Sequence, residues 1–209
     1  MNIKRILPLI LLFSISTVVS AQQIFLETGK TSSSFIYKNS QGVAFENLQA
    51  TNHTFMTMGY RTQVFVEKLK TSLSIGYFGY GATGSDHTLE GILDWNINYL
   101  EVSGGLDYSL YAIKKTEFYL KGMLSTGFFI QGTQSLNNEI INLKNTDDFN
   151  KTMISFKTGA GVLHPVSKEL SFYVQYLFGK SVNQANDNES LKIKSHNVGF
   201  GVLIELFNK

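Results

Sequence analysis

The feature that most constrains the fold is a pair of alternating runs between Thr152 and Lys180. The even-numbered residues of the first run, which form one parity of the strand, are mostly apolar and uncharged: Ile154, Phe156, Thr158, Ala160 and Val162. The other parity is small, polar or charged: Ser155, Lys157, Gly159 and Gly161. After a connector at residues 164–169, the alternation returns with an apolar parity of Leu170, Phe172, Val174, Tyr176 and Phe178. A period of two is that of a β-strand, and about ten residues is the length that a tilted strand needs to cross a bilayer. The two runs therefore predict a membrane-spanning hairpin.

The start of the chain has the form of an export signal. Lys4 and Arg5 precede an apolar run over residues 6–19, and small residues stand at positions 20 and 21. This order is typical of a cleaved secretory signal peptide. An uncleaved anchor is the alternative, but the run is shorter than the ~20 residues of a spanning helix and contains Pro8. We therefore expect a signal peptide over residues 1–21 and one barrel domain over residues 22–209.

Charge and cysteine content exclude several classes of function. Two of the 18 Lys and Arg residues lie in the leader, which leaves 16 against 16 Asp and Glu residues. The domain therefore has no basic excess of the kind that binds nucleic acid. The chain has no cysteine, so it has neither disulfides, nor thiol catalysis, nor a lipidated cysteine.

The same alternation divides the domain into eight strands joined by connections that alternate between long and short. The long connections are predicted at residues 38–52, 81–91, 132–151 and 182–191, and the short ones at residues 67–70, 113–116 and 164–169. Transmembrane β-barrels have an even strand number, short periplasmic turns and longer outer loops. The predicted fold is therefore all-β: an eight-stranded antiparallel up-and-down transmembrane β-barrel with four longer outer loops. Side chains can fill the interior of a barrel of this size.

Charged residues fall on the parity opposite to the apolar one. Seven of them are predicted to lie inward: Arg61, Glu101, Asp107, Glu117, Lys121, Lys157 and Glu205. Buried charges must be paired, and both signs are present, so a salt-bridge network in a plugged lumen is the favoured interpretation. An ion path or an acid–base site is the alternative, although no carboxylate is singled out as a catalyst. No cofactor or metal is expected, because the histidines lack metal-ligand spacing. Asp147 and Asp148 could help to bind a divalent cation, but a solvated loop is the favoured explanation.

Many aromatic residues fall near predicted strand ends. They are Tyr37, Phe65, Tyr77, Tyr80, Trp95, Tyr99, Tyr111, Phe118, Phe128, Phe172 and Phe178. Because they are spread over nearly every strand, we expect interfacial aromatic girdles and not a ligand-stacking platform.

These patterns resemble the small eight-stranded outer-membrane proteins of the OmpX type and the barrel domain of OmpA. The loops, rich in asparagine and lysine, resemble the outer membrane β-barrel domain proteins of Bacteroidota. The resemblance implies a monomer in the outer membrane, contact with outer-membrane lipid and lipopolysaccharide, and insertion by the barrel-assembly machinery. That machinery reads a last strand that ends in an aromatic residue. Here the lipid-facing parity ends at Leu206, and Phe207 lies on the other parity.

The favoured function is a non-enzymatic barrel that acts through its outer loops in surface interaction, adhesion or envelope integrity, with an unidentified ligand. Barrel enzymes that modify lipid A or phospholipid are an alternative, since such deacylases place a serine close to a histidine. Ser195 and His196 are adjacent, however, and therefore point to opposite faces of a strand. A narrow ion channel and a soluble lipocalin-like carrier, which would have an apolar interior, complete the alternatives.

Overall fold

The computed structural model describes residues 22–38, 48–64, 66–86, 91–136, 139–145, 152–182 and 190–206. The predicted signal peptide and the pair Asp147 and Asp148 lie outside these residues. Within the described ranges, no helix is both long enough and apolar enough to cross a membrane.

The described chain is almost entirely antiparallel β-structure. Its strands are β1 (Gln22–Lys38), β2 (Gln49–Gln63), β3 (Leu69–Asp86), β4 (Gly91–Ile113), β5 (Thr116–Leu136), β6 (Glu139–Asn142), β7 (Met153–Pro165), β8 (Leu170–Ser181) and β9 (Ser190–Glu205). Each strand of the ring pairs with its neighbours in the order β1-β2-β3-β4-β5-β7-β8-β9, and β9 pairs with β1 to close it. The short strand β6 pairs with residues 133–136 of β5 and leads into a 3-10 turn at Leu143–Asn145. The eight-stranded up-and-down barrel is therefore confirmed.

The middle of the barrel is apolar outside and polar inside. Leu124 is 60% exposed on the outer face of β5, whereas Lys121 on the same strand is 7% exposed and points inward. The same outward pattern recurs around the ring at Met56, Met58, Leu73, Ile75, Val102, Leu106, Leu120, Phe156, Val174 and Phe200. We call this band of outward apolar side chains the belt. Exposing the belt to water would cost about 25 cal/mol per Å² of apolar surface. The belt is therefore suited to contact with lipid acyl chains.

The pattern inverts beyond the belt, at the end of the barrel opposite the short turns. On β4, Asn96 and Asn98 face outward, while Trp95, Ile97 and Tyr99 are buried inside. We call the apolar cluster around these three residues the cap; its other buried members are Phe35, Phe55, Phe78, Tyr80, Ala82, Leu93, Leu143, Met153, Leu191 and Ile193. Outside the membrane the barrel has water on its outer face, so it buries apolar side chains inside like a soluble protein.

Two of the loops are predicted too long, because strands extend into them in the described residues. Residues 81–91 were expected to be a loop, but β3 extends to Asp86 and β4 begins at Gly91, with Gly84 paired to Leu93. The glycine at position 81 is a packing requirement and not a loop signal, since a Cβ there would overlap the backbone carbonyl of Trp95. The predicted loop over residues 132–151 is likewise shortened by the end of β5 and by β6.

The predicted aromatic girdle is correct for some residues and wrong for others. Tyr77, Tyr111, Phe128, Phe172 and Phe178 are exposed on the outer face as expected, and Phe118 is partly exposed. Tyr80, Trp95 and Tyr99 are instead inside the barrel, and Tyr37 packs partly buried against the cap. Phe65 lies outside the described residues. The error follows from the inversion: beyond the belt, the inward face is the apolar one.

Candidate functional site

The first group of charges in the lumen is centred on Asp107, which β4 directs inward. One carboxylate oxygen, Oδ2, lies 2.7 Å from Nε of Arg61 on β2. The other, Oδ1, lies 3.3 Å from Nζ of Lys121 on β5. All three side chains are buried, and the Arg61 guanidinium also stacks 5.5 Å from the ring centroid of Tyr119. One carboxylate thus holds two cations together in the lower half of the lumen.

A second ion pair lies nearer the cap and joins β4 to β7. Nζ of Lys157 lies 2.6 Å from Oε2 of Glu101, and the two side chains are 2% and 0% exposed. The Tyr80 hydroxyl donates a hydrogen bond to the other carboxylate oxygen. The ammonium of Lys157 also lies 3.7 Å from the ring centroid of Phe78, within the range of a cation–π interaction. This group fixes a fully buried charge pair directly below the apolar cap.

The structure adds a buried carboxylate that the sequence analysis missed. Glu27 on β1 accepts hydrogen bonds from Nε2 of Gln175, at 2.9 Å from each oxygen, and from the Tyr173 hydroxyl at 3.1 Å. Tyr119 in turn donates to Oε1 of Gln175 at 3.0 Å. The signal was present in the parity of β1, where Phe25 and Glu27 share the inward face. Because the Arg61 guanidinium lies over the ring of Tyr119, these neutral donors link Glu27 to the group around Asp107.

The remaining two predicted residues lie at the periplasmic rim. Glu117 pairs with Lys70 at 3.0 Å and accepts a hydrogen bond from the Ser109 hydroxyl at 2.6 Å. Its side chain and that of Lys70 are 21% and 16% exposed. Glu205 accepts a hydrogen bond from Nε2 of Gln23. The structure thus places the seven predicted residues in three separate settings: Arg61, Asp107 and Lys121 together, Glu101 with Lys157, and Glu117 and Glu205 each at the rim.

Little free space is left between these groups. One cavity next to Arg61 and Asp107 has a volume of about 10 Å³, and another between Lys121 and Lys157 has about 20 Å³. About 10–15 Å³ is needed to hold one water molecule. These cavities have room for isolated waters and not for a substrate, and the cap lies above them.

The residues proposed for alternative chemistries are not brought together. Ser195 is buried inside the barrel, whereas His196 is on the outer face, where its Nδ1 lies 2.6 Å from the Tyr176 hydroxyl. The two therefore do not form a nucleophile–base pair. In the described part of the chain, no group of three or more His, Cys, Asp or Glu residues could hold a metal ion.

Comparisons with known proteins identify the fold. No protein-family model matches the sequence, and no curated protein matches it. Among solved structures, Neisserial surface protein A (NspA) is 12% identical, with a TM-score of 0.52 over 88% of this chain and 97% of that protein. Outer membrane protein OprG from Pseudomonas aeruginosa is also 12% identical, with a TM-score of 0.51 over 89% of this chain and 97% of that protein.

The chain therefore has the fold of the small outer-membrane β-barrels, and the resemblance to the OmpX and OmpA type is confirmed at the level of the fold. The belt is the independent physical evidence for a membrane, because a closed antiparallel barrel with an apolar outer band is the form in which strands cross one. The protein is thus located in the outer membrane. Kinship with the Bacteroidota proteins stays a prediction.

Proposed function

We propose that this chain is a non-enzymatic outer-membrane barrel with a sealed lumen, which acts through the part of the barrel that projects beyond the membrane. The proposed activity is surface interaction, in the form of adhesion or of support to the envelope. The observation that carries the proposal is the continuation of β3, β4 and β5 as paired strands beyond the belt.

The length of β4 gives the size of the projection. Its outward apolar run from Leu110 to Leu100 spans about 25 Å along the barrel axis, at about 3.3 Å per residue and a tilt of about 40°. That is the height of the apolar band in outer-membrane barrels. Residues 91–99 of β4 continue in the same strand and reach about 20 Å further. The outer part of the protein is thus an ordered β-sheet held by the cap.

The tip of this projecting sheet exposes large apolar side chains to water. Ile92 on β4 is 68% exposed and Ile140 on β6 is 75% exposed. The two strands flank β5, which pairs with both of them at this level. Exposed apolar groups outside the belt gain nothing from lipid, and such patches mark interaction sites. We call Ile92, Ile140 and the neighbouring Ile141 the tip isoleucines.

The test uses cells that display the protein on their surface. We expect wild-type cells to settle faster than cells without the gene, or to bind more strongly to glycans immobilised on an array. A variant with Ile92→Lys and Ile140→Lys should lose that gain while it keeps the heat-modifiable gel mobility of a folded barrel. Val166→Lys, at an exposed position on the opposite, periplasmic rim, is the matched control and should behave as wild type. Equal settling and glycan retention with and without the gene would contradict the proposal.

The non-enzymatic part of the proposal has its own test. Lipid A and phospholipids from cells with and without the gene should have the same mass spectra, since Ser195 and His196 face opposite sides of the wall. A deacylated or otherwise modified lipid that depends on the gene would overturn this part.

A further inference from the structure

A group of lysines interrupts the outer face of the barrel on one side. Lys30 on β1, Lys180 on β8, and Lys192 and Lys194 on β9 all lie on the outward parity of their strands, and all four side chains are at least partly exposed. We call these four residues the wall lysines. In the described chain, no outward position of β1, β8 or β9 is occupied by Asp or Glu. This wall is therefore strongly cationic, unlike the lumen, where Arg61, Lys121 and Lys157 each pair with a carboxylate.

Two of the wall lysines are direct cross-strand neighbours. Lys180 pairs with Lys194 in the register of β8 and β9, and Lys194 pairs on its other side with Ser34 of β1. Directly opposed residues have Cβ atoms about 4.5–5.5 Å apart, and like charges at that distance destabilise a sheet. In the part of the chain that the structure describes, no salt bridge relieves this repulsion. An anion that accepts hydrogen bonds from both ammonium groups would relieve it.

The height of the row identifies the source of that anion. Lys180 lies ten residues after the start of β8 at Leu170, which places it about 25 Å above the periplasmic rim. This is the upper edge of the apolar band. Directly below it, the outward aromatic residues Phe178 and Tyr176 contact His196, with ring centroids 5.3 and 6.0 Å apart. An aromatic belt of this kind marks the interface, where lipid head groups begin.

The opposite side of the barrel lacks these charges. On β4 the outward side chains that follow Leu100 are Asn98 and Asn96, and an acidic residue, Asp94, comes next. The cationic character of the wall is thus a property of β8, β9 and β1 and not a general property of the outer rim.

We propose that the wall lysines form a binding site for the phosphate groups of a phosphorylated lipid in the outer leaflet. Lys180 and Lys194 bind one phosphate between them, with Ser34 in the same row, and Lys192, two residues nearer the outer end of β9, flanks it from above. Lys30 pairs with Val198, four residues below Lys194 on β9, and adds positive charge below the site. The acyl chains of that lipid then lie along the apolar side chains of β8 and β9 beneath the row, which include Phe178 and Val198. This inference is independent of what the tip isoleucines contact, because it requires only that the barrel span the membrane.

The experiment measures lipid retained by the full barrel in native mass spectrometry, with diphosphoryl lipid A as the probe. We expect a variant with Lys180→Gln and Lys194→Gln to bind the probe roughly 25-fold more weakly, about fivefold for each lysine near a charged membrane surface. The charge-preserving variant with Lys180→Arg and Lys194→Arg should keep the affinity. The control with Lys115→Gln and Lys168→Gln removes the same charge from exposed positions at the periplasmic turns and should bind as wild type.

Three outcomes would overturn the proposal. One is equal retention of lipid A after its phosphates have been removed, since acyl chains alone would then explain binding. The second is an equal loss in both glutamine variants, which would show an effect of net charge. The third is displacement of the lipid by millimolar inorganic phosphate, which would show a site for a free ion. Unchanged heat-modifiable mobility of every variant establishes that each barrel is folded.

Discussion

Replacing Lys157 by methionine should destabilise the barrel strongly. Methionine keeps the length and most of the apolar contacts of the lysine stem, so the change removes mainly the charge. In the part of the chain that the structure describes, Glu101, which is 0% exposed, would keep only the hydrogen bond from Tyr80. Removing one partner of a buried pair leaves an uncompensated charge and typically costs about 3–5 kcal/mol. We expect a loss of that size in the free energy of unfolding.

The protein provides a matched control at the rim. Lys70 and Glu117 form an ion pair of similar length, at 3.0 Å, but their side chains are 16% and 21% exposed. Partly exposed pairs contribute about 0–1 kcal/mol, and Glu117 retains its hydrogen bond from Ser109. Lys70→Met should therefore cost no more than about 1 kcal/mol. The contrast between the two lysines isolates the effect of burial.

Urea unfolding of the barrel in lipid vesicles measures both values. The fluorescence of Trp95, the single tryptophan of the chain, reports on the cap, and gel mobility without heating gives the folded fraction. Adding Glu101→Gln to Lys157→Met removes the stranded charge, and we expect it to recover most of the loss, to within about 1–2 kcal/mol of wild type. Equal, small losses for Lys157→Met and Lys70→Met, or no recovery in the double variant, would refute the argument that the lumen is a sealed, low-dielectric interior.

Four further outcomes follow from the same structure. Gly159→Ala should cost about 1–3 kcal/mol, because a Cβ there overlaps the carbonyl of Tyr176, while Gly122→Ala, whose Cβ meets nothing within 4 Å on the outer face, should be neutral in the same unfolding assay. Tyr80→Phe should cost about 1–3 kcal/mol, since it removes a donor to buried Glu101; an effect below half a kcal/mol would contradict that hydrogen bond. Planar-bilayer recordings should show no stable pore, because the cavities between the lumen charges hold about 10 and 20 Å³; steady unitary conductance would disprove the seal. Finally, the unheated protein should migrate differently from the heated protein on a gel, and identical migration would contradict a closed barrel.

The sequence predicted the membrane-spanning half of the fold well because one physical rule applies there throughout. Strand side chains alternate between lipid and lumen, so the parity of the run from Ile154 to Val162 gave the outer face of β7 directly. The same rule placed Lys121 inside, and Leu124, on the opposite parity of β5, lies outside. The rule also applies to Glu27 on β1, but the serine-rich stretch at residues 32–34 interrupts the pattern of that strand, and Glu27 was not among the predicted lumen charges.

The outer half of the fold was predicted less well because the solvent changes there. Trp95 and Tyr99 have the inward parity of β4, yet their position near a strand end favoured an interfacial girdle. Glycines and polar side chains in residues 81–91 suggested a loop, although polar outward residues are what a strand in water requires. The partners of each buried charge also lie far apart in sequence, as Glu101 and Lys157 do. Periodicity assigns a residue to a face but cannot assign its partner across the lumen.

The central claim is that apolar side chains contact lipid while polar ones are enclosed, and two adjacent positions test it most directly. Leu124 and Ser125 are neighbours on β5, 60% and 1% exposed, and the chain has no native cysteine. Each is replaced by cysteine and spin-labelled, and the barrel is reconstituted in vesicles for electron paramagnetic resonance. We predict that the label at position 124 collides freely with membrane-dissolved oxygen and not with a water-soluble nickel chelate, and that the label at position 125 is shielded from both. Strong nickel collisions at position 124, or equal oxygen collisions at both positions, would contradict the claim.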